Sequence, residues 1–101
     1  MDIEKLRICC SNNKVLWSTH GSSRIQQRGI LRMDVINCIM NGEIIEDYPT
    51  DYPHPSCLIF GYTLTDKIIH VVAGFDGDYL YIITAYFPNT EKFLDDLKTR
   101  R

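Results

Sequence analysis

The stretch KIIHVVAGFDGDYLYIITAYF, residues 67–87, decides the fold. Two apolar runs rich in β-branched and aromatic residues flank Asp76-Gly77, which is the strongest hairpin signal in the chain. Residues 67–75 and 79–87 are therefore predicted to pair as antiparallel strands.

The register of this hairpin decides whether His70 and Tyr86 share a face of the sheet. Strand alternation places the His70 side chain opposite that of Val71. With a two-residue turn at Asp76-Gly77, His70 pairs with Ile83 and Tyr86 points to the other face. A one-residue bulge reverses this parity, so the sequence leaves a His70–Tyr86 pair open.

The remaining elements follow from apolar periodicity, capping residues and turn signals. Short links between consecutive strands favour an antiparallel meander. Two further strands are predicted at 43–48 and 57–64, and residues 14–18 are predicted to form a short edge strand or an extended lead-in. Helices are predicted at 2–11, from Ser18 or Thr19 to about 27, at 31–41 and after a cap at Thr90.

Together these elements predict an α+β fold. It consists of an antiparallel four-stranded sheet, with or without the short edge strand, and helices packed on one face. We treat residues 1–101 as a single domain, with an N-terminal helix in 1–13 and a core in 14–98.

Composition places the chain among soluble globular proteins, with 45% hydrophobic and 24% charged residues. No apolar run approaches the roughly 20 residues of a membrane span. The start, MDIEKLRICC, lacks a signal-peptide pattern, so a cytoplasmic protein without membrane association is expected.

The charge is unevenly distributed along the chain. Residues 1–42 carry six Lys/Arg and three Asp/Glu (+3), residues 43–97 carry two and ten (−8), and residues 98–101 add three Lys/Arg (+3), giving −2. This balance argues against broad electrostatic capture of nucleic acid but allows a local phosphate site.

The four cysteines, Cys9, Cys10, Cys38 and Cys57, show no C-x-x-C spacing and are predicted to be reduced thiols. A metal site built from Cys9, Cys10 and a distant histidine, or a nucleophilic cysteine, is a less favoured alternative. The prediction is therefore no metal and no cofactor.

His20, Arg24 and Arg28 recur every four residues, so a helix through them presents one imidazole and two guanidiniums on one stripe. Guanidinium binds oxyanions through a planar fork of donors, and histidine can move protons near neutral pH. Such a stripe is typical of a phosphate or carboxylate site, and equally of a solvated polar helix face. Likewise, His70 in its apolar strand is either a structural or a catalytic residue.

A set of motifs in fixed order resembles the bacterial domain of unknown function 4258. The resemblance runs from about Trp17 to Pro88. Its motifs are H-x-x-x-R-x-x-x-R-G-I (His20–Ile30), G-E-I-I-E-D-Y-P (42–49), P-x-P-S-C-L-I-x-G (53–61), H-V-V (70–72) and I-I-T-A-Y-x-P (82–88).

That family looks like a member of the RelE-type toxin superfamily, which includes barnase-like ribonucleases. The resemblance implies a RelE/barnase-like fold and a metal-independent endoribonuclease toxin, an mRNA interferase paired with an MqsA-like zinc-finger antitoxin. It implies RNA as substrate, free or on the ribosome.

Cleavage through 2′-hydroxyl attack on the phosphate needs a base, an acid and positive charge. Arg24 and Arg28 would stabilise the phosphate, His20 or His70 would act as base or acid, and Tyr86 would assist. Two alternatives stay open: a non-catalytic module on the same fold that binds a protein or an anion, and an enzyme acting on a small anionic substrate.

Overall fold

The computed structural model describes residues 1–101, and it confirms the α+β class. All predicted strands form, with bounds within two residues of those expected. The helices are α1 (Ile3–Ser11), α2 (Thr19–Gln27) and α3 (Arg32–Asn41); the strands are β1 (Val15–Trp17), β2 (Glu43–Tyr48), β3 (Ser56–Tyr62), β4 (Ile68–Phe75) and β5 (Leu80–Tyr86).

Side-chain caps mark where α1 and α2 begin. The Asp2 carboxylate accepts a hydrogen bond from the Glu4 N–H at 3.0 Å, and Ser18 Oγ accepts one from the Gly21 N–H at 2.9 Å. Each bond satisfies a backbone donor that the first helical turn leaves unpaired. Helix α2 ends before Gly29, whose φ of +74° suits glycine.

The sheet is five-stranded and mixed, in the order β1-β5-β4-β3-β2. The prediction of four antiparallel strands with a possible short edge strand was therefore wrong in one respect, because the sheet is not purely antiparallel. β1 pairs with β5 in parallel, with Val15 opposite Leu80, and this pairing makes the short strand a full member of the sheet. The remaining neighbours are antiparallel.

The main core lies between one face of the sheet and the helices. Ile69, Val71 and Ala73 of β4, which strand alternation places on one face, point into it, and all three are fully buried. Helix α2 approaches β5 closely because Gly21 contacts the carbonyl oxygen of Ile83, where a Cβ would not fit. None of the three helices has the length and apolar character needed to cross a membrane.

The β4–β5 hairpin differs from the simplest expectation at two points. Phe75 pairs with Leu80, so the connection consists of residues 76–79 rather than two residues. This change alone leaves each side chain of β5 on the same face of the sheet as a two-residue turn would. Between Val72 and Ala73 the register then shifts by one residue. This bulge reverses the parity and places Tyr86 directly opposite His70.

The predicted C-terminal helix does not form. Residues 88–101, here named the C-terminal segment, make turns and an isolated bridge between Phe93 and Arg100. The Asp96 carboxylate accepts the Lys98 and Thr99 N–H groups at 2.9 Å, and Leu97 adopts a φ of +57°. These local bonds compete with helical ones, and the segment packs on the sheet face that carries His70.

Candidate functional site

His70 and Tyr86 form a hydrogen-bonded pair on the sheet face opposite the helices. His70 Nδ1 lies 3.2 Å from the Tyr86 hydroxyl, and Nε2 lies 2.6 Å from the carbonyl oxygen of Leu97. A carbonyl can only accept, so Nε2 carries the proton and Nδ1 of the neutral ring accepts from Tyr86. The tautomer thus follows from the two partners.

Burial decides the protonation of this pair. The His70 side chain has no exposed surface, and the Phe93 ring packs edge-on against it at 4.7 Å between centroids. Desolvation lowers the pKa of His70, outweighing the Leu97 carbonyl and the nearby Glu46 charge, both of which raise it. Burial also raises the pKa of Tyr86, so both groups are neutral near pH 7.

Arg28 reaches the same end of β5 from the C-terminus of α2. Its guanidinium donates to Thr84 Oγ1 at 3.1 Å and to the Ala85 carbonyl at 2.8 Å. Both acceptors are uncharged, and Arg28 forms no ion pair in the structure. The guanidinium is therefore positioned while its charge remains uncompensated.

Arg28 and Tyr86 line a cavity of about 300 Å³. The C-terminal segment supplies most of its other walls. No acidic residue lines the cavity although the chain as a whole is net negative. The full lining consists of Arg28, Tyr86, Phe87, Pro88, Asn89, Lys92, Phe93 and Arg100.

The three cations of the cavity differ in how they are held. Arg100 binds both carboxylate oxygens of Glu46 at 3.0 Å, and this contact with Arg100 lowers the pKa of Glu46. Tyr48 donates a further hydrogen bond to the same carboxylate. Lys92, like Arg28, has no acidic partner, so two uncompensated cations face the cavity, which is suited to an anion.

The structure brings together three of the five predicted site residues. Arg28, His70 and Tyr86 meet at the end of β5, although His70 is not part of the cavity lining and contacts it through Tyr86 and Phe93. His20 and Arg24 are exposed on α2 and do not line the cavity. The helical rise places the His20 Cα roughly 12 Å along the axis from that of Arg28.

Sequence reasoning missed the contribution of the C-terminal segment. Lys92 and Arg100 were assigned to a helix and to a basic tail, and neither lies in a recognisable motif. The excess of basic residues at 98–101 was the one available signal. Lys92 and Arg100 lie near Tyr86 because of irregular turns, and no local sequence pattern predicts these turns.

The cysteines lie elsewhere and are poor nucleophiles. Burial raises the pKa of Cys10 to about 11 and that of Cys38 and Cys57 to about 12. The structure contains no cluster of three or more His, Cys, Asp or Glu side chains that could hold a metal ion. The alternative of a Cys9–Cys10–His metal site therefore has no geometric support.

No curated protein and no solved structure matches the chain closely enough to be counted as similar. The model of one family, described as Domain of unknown function (DUF4258), matches residues 17–87. The matched region contains Arg28, His70 and Tyr86 and excludes the C-terminal segment. Because the match covers well over half of the chain, the protein belongs to the DUF4258 family.

Proposed function

We propose that the cavity beside Tyr86 binds a phosphodiester of RNA and that the protein cleaves it without a metal ion. One observation carries the proposal: Arg28 and Lys92, two cations without an acidic partner, and Tyr86 line a cavity that has no acidic lining residue. A transition state that gathers negative charge on phosphate oxygens is stabilised by such preorganised cations. Arg28 is the phosphate-binding residue, held by Thr84 and Ala85.

The His70–Tyr86 pair offers a path for the proton of the attacking 2′-hydroxyl. That proton passes to the Tyr86 oxygen while the Tyr86 proton passes to Nδ1 of His70. The 2′-oxygen bonds to phosphorus, the bond to the 5′-oxygen breaks, and water protonates the leaving oxygen. The products are a 2′,3′-cyclic phosphate and a 5′-hydroxyl. The hydroxide left from that water takes a proton from Tyr86, which regains one from Nδ1 of the buried imidazolium.

His70 acts in this scheme as a positioning and relay residue, since it does not itself reach the cavity. Its lowered pKa keeps it neutral, and therefore able to accept, near pH 7. His20, predicted as base or acid, and Arg24, predicted to stabilise the phosphate, lie outside the cavity; we propose them instead as outer contacts to the RNA backbone along α2. The wider proposal is a RelE-like, cytoplasmic toxin restrained by a zinc-finger antitoxin, with RNA bound free or on the ribosome.

Induced expression in a bacterial host tests this function. Wild type and Lys67→Ala, a control that removes an exposed cation in the β3–β4 turn, should arrest growth. Arg28→Ala should relieve the arrest with a melting temperature within a few degrees of wild type, and Tyr86→Phe should relieve it while remaining folded at the growth temperature. Purified wild type should cut RNA in a chelating buffer to 2′,3′-cyclic ends. Normal growth with abundant folded wild type, and uncut RNA, would refute the proposal.

A non-catalytic anion-binding module is the second candidate. The full burial of His70 and the engagement of both its ring nitrogens favour it, because a buried ring cannot meet a ligand. In that case RNA would bind in an Arg28-dependent manner and be recovered intact.

A further inference from the structure

We propose that Phe87 and Asn89 form a nucleobase subsite beside the phosphate cavity, so that the ligand is single-stranded RNA. This inference rests on the proposed function. The cavity of about 300 Å³ falls at the lower end of the roughly 300–1,000 Å³ typical of small-molecule sites and exceeds what one phosphate requires. The cations of the cavity would contact the phosphate, whereas Phe87 and Asn89 line a part of the cavity for which a phosphate alone provides no partner.

Phe87 presents a free aromatic face at this part of the lining. It directly follows β5, and the residue is 40% exposed. The other two aromatic rings of the cavity are occupied, because Tyr86 and Phe93 both pack against His70 and Phe93 is only 2% exposed. Every nucleobase has a π-face, so an exposed ring beside a phosphate site suits base stacking.

Asn89 provides directed polar groups two residues after Phe87. Its Oδ1 accepts the Glu91 N–H at 3.0 Å, and this bond fixes the orientation of the amide because a backbone N–H can only donate. Nδ2 has no acceptor in the protein. The amide therefore offers two donors, which match the carbonyl oxygens and ring nitrogens on base edges.

Duplex RNA would not present its bases to such a site. In a helix the bases are stacked and their edges lie within the grooves, whereas an unpaired base can lie against Phe87 while its phosphate meets Arg28 and Lys92. The subsite thus selects single-stranded RNA over double-stranded RNA.

The test compares a 2′-O-methyl pentauridylate, which cannot be cleaved, with an abasic oligonucleotide of the same backbone. Dissociation constants are measured by titration of the intact protein. Wild type should bind the pentauridylate roughly 5- to 100-fold more tightly than the abasic chain. Phe87→Leu, which removes the π-face, and Asn89→Ser, which keeps an oxygen for the Glu91 N–H but removes the two donors, should each reduce this ratio.

Tyr52→Leu is the matched control, because it removes a 91% exposed aromatic ring outside the cavity and should leave the ratio unchanged. Equal binding of both oligonucleotides by wild type, weakened by Arg28→Ala, would overturn the subsite and leave the anion site standing. Binding of neither would overturn the proposed function together with the subsite. A reduced ratio in Tyr52→Leu equal to that in Phe87→Leu would also overturn the subsite.

Discussion

His70 Nδ1 lies 3.2 Å from the hydroxyl of Tyr86, and an extra residue in β5, Ile83, brings the two side chains together. Val72 pairs with Thr84 and Ala73 with Ile82, so Ile83 has no partner on β4. Without this residue the two side chains would point to opposite faces. The bulge thus creates the pair on which the proposed chemistry depends.

Replacing Tyr86 with Phe should leave Nδ1 of His70 as a buried acceptor without a partner. The expected cost is about 1–3 kcal/mol in the free energy of unfolding, measured with urea. Cleavage of RNA should fall at least tenfold beyond any effect on the folded fraction. Tyr62→Phe, which removes the hydroxyl of a 47% exposed tyrosine, is the control; equal stability losses in both variants would contradict the role of the pair.

Stability should depend on pH through His70. Burial lowers the pKa of His70 in the folded protein, so between that value and the ordinary 6.5 the unfolded chain binds more protons. The free energy of unfolding should therefore decrease as pH falls below about 6.5. Glu46 and Arg100 also face His70. Because Arg100 lowers the pKa of Glu46 in the folded protein, the stability that Glu46 contributes is lost only as pH falls through its ordinary value of 4.5 and below.

Urea unfolding of wild type and His70→Asn between pH 7 and pH 5 isolates this contribution. The variant should be less stable at pH 7 and show a smaller dependence on pH. Parallel curves for the two proteins would show that His70 does not titrate as its burial requires.

Replacing Gly21 with Ala should displace α2 from β5. The new Cβ would collide with the Ile83 carbonyl oxygen and lie 2.5 Å from Ser18 Oγ, so the helix must move and carry Arg28 with it. We expect a loss of about 1–3 kcal/mol, despite the higher helix propensity of alanine, and weaker binding of RNA. Ser23→Ala on the exposed side of α2 should be close to neutral; a stabilised Gly21→Ala protein would refute the close approach.

Replacing Phe93 with Ala should detach the C-terminal segment from the sheet. Phe93 is 2% exposed and packs against His70, so its truncation should cost about 3–5 kcal/mol. Amide hydrogen exchange should accelerate in residues 93–101. Leu94→Ala, at a 41% exposed neighbour, provides the comparison, and equal unfolding free energies for the two variants would contradict the packing.

Local patterns determined much of the architecture. The Asp2 and Ser18 caps, the Gly29 stop and the alternation along β4 each depend on neighbours within a few residues, so the sequence was enough to predict α1, α2 and which side chains of β4 share a face. Arg28 could also be identified from the sequence as a candidate anion-binding residue, because the four-residue spacing from His20 and Arg24 follows directly from helix geometry. The family resemblance was likewise visible in the order of motifs and is confirmed by the match over residues 17–87.

Tertiary structure alone decided what meets at Tyr86. The parallel pairing of Val15 with Leu80 joins distant segments, and the bulge at Ile83 adds a single residue that no composition signal marks. In the C-terminal segment, side-chain hydrogen bonds to the backbone displaced the helix that periodicity predicted. As a result, Lys92 lies at the cavity and the segment buries His70. The free energy gained by covering the second face of the sheet depends on the whole fold, so no local pattern in the sequence could predict it.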